Sequence, residues 1–171
     1  MSEFVNFNKR NISLPAGCKD LLDVLKHTGS AAKITTDDWS TEKLHDIAKW
    51  ISAVLESKAL LAKFALFSLD NRLSLHIFQI NGETLDTSVG YTRSSENEQK
   101  MRAIFQHAGL QAPSDSAVIK GQRVQLSFRI RPEPVRAVEL TKVASLIFQE
   151  FCGLEPSSGV RVHLSEVTNA T

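Results

Sequence analysis

Residues 60–91 read LLAKFALFSLDNRLSLHIFQINGETLDTSVGY, and this stretch decides the fold. Three runs rich in apolar and β-branched residues, 60–69, 73–80 and 84–91, are parted by two turn sequences. Asp70-Asn71-Arg72 makes the first turn. Asn81-Gly82 makes the second and is the strongest hairpin signal in the chain, because a type I′ turn needs two residues that accept positive φ. The pattern predicts a three-strand antiparallel meander. In its first strand Leu61, Ala65, Phe67 and Leu69 point one way and Leu60, Phe64 and Leu66 the other, so this strand is central or covered on both faces. The third strand alternates, with Leu85, Val89 and Tyr91 inward and Thr84, Asp86 and Ser88 outward.

Downstream, Ser95-Glu96-Asn97-Glu98 has the form of a capping box. The helix it opens buries Met101, Ile104, Phe105 and Ala108, and Gly109 stops it. Strands at 117–120 and 122–131 follow, parted by Gly121 as a tight turn or bulge. Pro134 then opens a helix to Cys152 with the stripe Ala137, Leu140, Ala144, Ile147, Phe148 and Phe151, widened by Val138 and Val143 and ended at Gly153. The last strand is 160–167, alternating Val160, Val162 and Leu164 with Arg161, His163 and Ser165.

Upstream, residues 1–15 form an apolar arm, packed on its own domain or on a neighbour. Pro15 opens a short helix to about His27, and 31–37 reads as a loop. A helix is expected over 38–58, with Leu44, Ile47, Ala48, Ile51 and Leu55 as its stripe. Trp39 and Trp50, eleven residues apart, then share one azimuth about 120° from the stripe's centre. They either cover the arm or a sheet edge, or form a partner surface, where Trp is enriched.

The expected architecture is one α+β domain over 1–171, a mainly antiparallel sheet with helices on one face. From the second helix to the fourth, the element order resembles that of type III secretion chaperones, small homodimeric binding proteins. The likeness is one of topology, with no shared motif, and assigns no family.

Twenty basic and 19 acidic residues leave a net charge of +1, which favours no nucleic-acid or acidic partner class in particular. No apolar run approaches the roughly 20 residues that span a bilayer, and the N-terminus lacks a signal peptide's apolar core, so a cytoplasmic protein is expected. The five histidines show no i,i+3 or i,i+4 partner, the two cysteines match no metal or redox spacing, and no glycine cluster wraps a phosphate. No cofactor and no metal is expected. Cys18, in a first helical turn beside Lys19, is the one candidate nucleophile, with Asp20 against it; Cys152 reads as core.

One charged constellation stands out. On 122–131, Val124, Leu126, Phe128 and Ile130 face one way, and Arg123, Gln125, Ser127, Arg129 and Arg131 the other. If the last strand lies alongside, Arg161 and His163 extend this into a basic face able to hold phosphate or carboxylate bidentately. The alternative is an edge protected from aggregation by long basic side chains. The leading expectation is a non-enzymatic protein that binds another macromolecule, as adaptor, chaperone-like protein or complex subunit and as a homodimer. Trp39, Trp50, Phe4 and Phe7 are its contact residues. Anion or nucleic-acid binding through Arg123, Arg129, Arg131 and Arg161 comes second, and a Cys18-dependent enzyme third.

Overall fold

The computed structural model describes residues 4–7, 10–13, 32–36, 39–80, 83–111, 117–131 and 133–169. The meander is present as β5 (Leu61–Ser68), β6 (Leu73–Ile80) and β7 (Glu83–Thr92). It forms the middle of an eight-stranded antiparallel sheet that also holds β3 (Ala32–Thr36), β4 (Ser40–Lys43), β8 (Ala117–Lys120), β9 (Arg123–Phe128) and β10 (Gly159–Asn169). The order is β3-β10-β5-β6-β7-β9-β8, with β4 also on β10. Two further strands, β1 (Phe4–Phe7) and β2 (Arg10–Ser13), pair with each other in a separate sheet. The turn at Asn81-Gly82 and the helix expected from Pro15 lie outside the described residues, as does Cys18.

Three helices, α1 (Ala48–Glu56), α2 (Ser95–Ala108) and α3 (Ala137–Cys152), gather on one face of the sheet. That face carries Phe64 and Leu66 of β5, Leu73, Leu75 and Ile77 of β6, and Val160 and Val162 of β10, all fully buried. Against them stand Ile51, Met101, Leu140, Ile147 and Phe148 from the helices. Full burial of each such side chain stabilises by about 1.5–3 kcal/mol before entropy is counted. The result is a mixed α+β fold with helices on one face of a large antiparallel sheet, as the sequence implies.

Several elements depart from expectation. Ala32–Thr36 is a strand rather than a loop, pairing with Ser165–Asn169. Its Ile34-Thr35-Thr36 run suits a pleated surface. The expected helix over 38–58 begins only at Ala48, because Ser40–Lys43 pairs with Gly159–Val162 and Leu44–Asp46 forms a 3-10 turn. A ladder to β10 satisfies backbone groups that a free first helical turn leaves open. The α2 cap is Ser94, one residue earlier than expected; its Oγ accepts from the Asn97 amide at 3.0 Å. The third residue of that helix is therefore Asn97, whose Nδ2 donates to the Thr92 carbonyl at 2.8 Å. Helix α3 starts at Ala137 instead of Pro134, and Val138 lies on its exposed side, 59% accessible, not on the stripe. The left-handed glycines fall as the sequence implies, Gly109 after α2 and Gly153 after α3, and Gly121 makes the tight β8–β9 turn.

Candidate binding face of the sheet

The other face of the sheet carries no helix among the described residues. Register aligns its side chains in rows across five strands. Arg161, Phe67, Ser74, Gly90 and Gln125 make one row; His163, Ala65, His76, Ser88 and Ser127 make the next. The two histidines thus flank Ala65, a small residue that leaves both rings room.

Trp39 lies on this face because it directly precedes Ser40, which pairs with Val162 and so sets the indole beside His163. The two rings stack with centroids 4.8 Å apart, and Phe67 meets the indole edge-on at 5.3 Å. Phe67 in turn is edge-on to His76 at 5.6 Å, and His76 stacks towards Phe78. Trp39 remains 49% exposed. An aromatic band therefore runs from solvent into the middle of the face.

Basic groups border the band. The Arg161 guanidinium lies 5.3 Å from the Trp39 ring and 5.8 Å from Phe67, within cation–π range. Its Nη2 donates to the Asn71 Oδ1, and its Nε is buried without a hydrogen-bond partner. Arg123 comes from the far side. Its Nη1 donates to the Asn71 carbonyl at 2.9 Å and its Nη2 to the Ser74 Oγ at 3.2 Å. To get there it crosses β7 at Gly90. A Cβ at that position would sit 2.5 Å from the Ser74 Oγ and 3.6 Å from the Arg123 Nη2. Asn71 itself has φ 58°, a left-handed conformation that Asn tolerates better than most residues.

Electrostatics follow from this crowding. Burial, then Lys63 and Arg123, push the His76 pKa down to about 4, so the ring is neutral near pH 7; its Nδ1 is buried and has no partner. Asp86, on the same face, is pushed up by burial, against hydrogen bonds from Ser127 and the Thr87 backbone. At the turn, burial alone would raise the Asp70 carboxyl, but bonds from Ser68 and Arg72 hold it below its usual value.

The sequence-derived candidates are dispersed. Trp39 and Trp50 do not share an azimuth, since only Trp50 is on a helix; it packs partly buried against the core, with its Nε1 buried and unpaired. Phe4 and Phe7 bound β1, and their side chains lie outside the described residues. Of the arginines expected along one strand, Arg123 is in β9, Arg129 follows in a bridge with Gln111, and exposed Arg131 lies beyond it. The basic face expected from β9 beside β10 does not form, because β5, β6 and β7 separate them. Arg123 and Arg161 converge all the same, through Asn71. In the sequence Asn71 stands out as a turn residue and not as a meeting point for arginines, and Gly90 lies unmarked within a strand. A glycine inside a regular strand is the signal that marked the close approach.

Among the described residues, no group of three or more His, Cys, Asp or Glu side chains is placed to hold a metal ion, and no helix is long and apolar enough to cross a membrane. Burial pushes the Cys152 thiol up, which disfavours the thiolate a nucleophile needs. A groove of about 590 Å³ between α2 and the β8–β9 hairpin is lined by Met101, Phe105, Leu110 and Ile119, with Glu98 and Arg102 also on its wall.

No family model matches this chain, and no curated protein or solved structure is significantly similar to it. The topological likeness to type III secretion chaperones therefore gains no support from comparison. The face offers aromatic surface, fixed guanidinium donors and a neutral imidazole.

Proposed function

We propose that this chain is a non-enzymatic binding protein whose sheet face opposite the three helices takes a segment of a protein partner. The observation that carries the reading is Trp39, half-exposed while stacked on His163 and edge-on to Phe67. A large rigid ring held at the edge of an aromatic band costs little entropy to immobilise further, which is why such residues dominate binding energy at interfaces. Self-association through the same face is one form of this reading, in keeping with the homodimer expected from the sequence.

The test is affinity capture of the tagged chain from its native cells, repeated with Trp39→Ala. A specific partner lost on substitution, while circular dichroism stays native, supports the reading. Retention of the same partner at the same occupancy sinks it. Sedimentation of both variants separates self-association from binding to another chain.

A further inference from the structure

We infer that the Asn71 turn, with Arg123 and Arg161 fixed on it, is a carboxylate-binding subsite of this face for an acidic protein segment. The inference rests on the proposed function and adds the partner's chemistry to it.

Among the described residues, the acceptors that hold both guanidiniums are neutral: the Asn71 carbonyl and Oδ1 and the Ser74 Oγ. Among the described residues neither forms an ion pair, whereas Arg72 and Arg136 are paired with Asp70 and Glu139. Asp70, the acid closest in sequence to Asn71, is thus already engaged. A guanidinium carries five N–H donors in a planar fork. Arg123 donates from Nη1 and Nη2 and Arg161 from Nη2, one bond each; the Arg161 Nε is buried and closed to a ligand, so its Nη groups are the ones a ligand could meet. The aromatic rings beside Arg161 attract its charge but accept no conventional hydrogen bond. Two positive groups with donors to spare, anchored before a ligand arrives, have the chemistry of an oxyanion clamp.

A protein carboxylate fits better than a nucleic-acid backbone. Nucleic-acid binding relies on a run of basic contacts to successive phosphates. This face instead surrounds its two arginines with Phe67, Ala65, Ser88 and Gln125, carries Asp86, and belongs to a chain of net charge +1. One or two acidic side chains beside an apolar one match both the clamp and Trp39.

In the Trp50→Phe variant, Trp39 is the sole indole. Its emission is followed at low salt while a decaglutamate peptide, and separately a decathymidylate, is added. The expected result is a saturable change with decaglutamate, weakened about tenfold by Arg123→Gln or Arg161→Gln, the usual worth of one charge-assisted hydrogen bond. Arg161→Lys, which keeps the charge and loses the fork, serves if Arg161→Gln fails to fold, and the same weakening is expected of it. Unchanged affinity in these variants, absence of decaglutamate binding, or tighter binding of the decathymidylate overturns the assignment. Native-partner capture that needs Trp39 but survives both Gln substitutions removes the subsite alone; capture that ignores Trp39 removes the face reading itself.

Discussion

Arg123 and Arg161, on strands with three others between them, hold the backbone and side-chain oxygens of one residue, Asn71. The β5–β6 turn is thereby tied to both flanks of the sheet. Asn71→Gly keeps the left-handed φ and deletes only the Oδ1 acceptor; Asn71→Ala adds backbone strain of roughly 1 kcal/mol. Both variants should be less stable than wild type, with Ala the worse. In a chain this long each kcal/mol lowers the melting temperature by about 2–4 °C. Equal melting temperatures for the three proteins would show that the Arg161 tie to the Oδ1 does not matter to stability.

Gly90→Ala should destabilise by about 1–3 kcal/mol, the usual range for overpacking. The new methyl meets the Ser74 Oγ, which is itself held by Arg123. Adding Ser74→Ala removes the obstructing oxygen, so the double variant should recover part of the loss. A double variant no better than the sum of the singles would place the cost elsewhere; urea denaturation of the four proteins decides it.

His76 makes stability pH-dependent. Its folded pKa of about 4 lies below the ordinary 6.5, so between these values the unfolded chain binds a proton that the folded one refuses. Its contribution is complete above pH 6.5, falls as the pH drops, and is spent near pH 4; its ceiling is about 3 kcal/mol. Phe67 and Phe78 pack around the ring, Ser88 stands opposite it without charge, and Lys63 and Arg123 repel the imidazolium. Replacement by Phe should flatten this limb of the stability curve. Urea midpoints at pH 4.5 and 7.5 that differ equally in both proteins would contradict it.

The tryptophans should behave differently in solution. Acrylamide should quench Trp39, half-exposed, more strongly than Trp50, which packs on the core. Trp39→Ala should leave the melting temperature within about 2 °C, as surface substitutions do, and Trp50→Ala should lower it by several times that. Comparable losses would place both indoles in the core.

The parts of this fold that were legible are those whose signal is local. The meander announces itself through alternation and turn residues, and the ends of α2 and α3 through Gly109 and Gly153. The misread parts depend on a distant partner. Nothing within Ala32–Thr36 or Ser40–Lys43 says that β10 waits beside them, and four or five residues are too few for period alone to decide. The site follows the same division. Arg123 and Arg161 were visible as outward-facing cations, but their meeting point depends on how the sheet carries β9 and β10 around the Asn71 turn.

That dependence on β10 bears on how the protein is made. Among the described strands, β3 and β4 pair only with β10, which is translated after all the others. The meander can zip together from neighbouring segments as soon as it leaves the ribosome, at low loop-closure cost. The earlier strands must hold open edges until the final one arrives, and closing so long a loop is slow. A nascent chain halted before β10 would therefore display the Leu61–Ser68 edge of β5 without its partner, a state that needs protection from pairing with its neighbours.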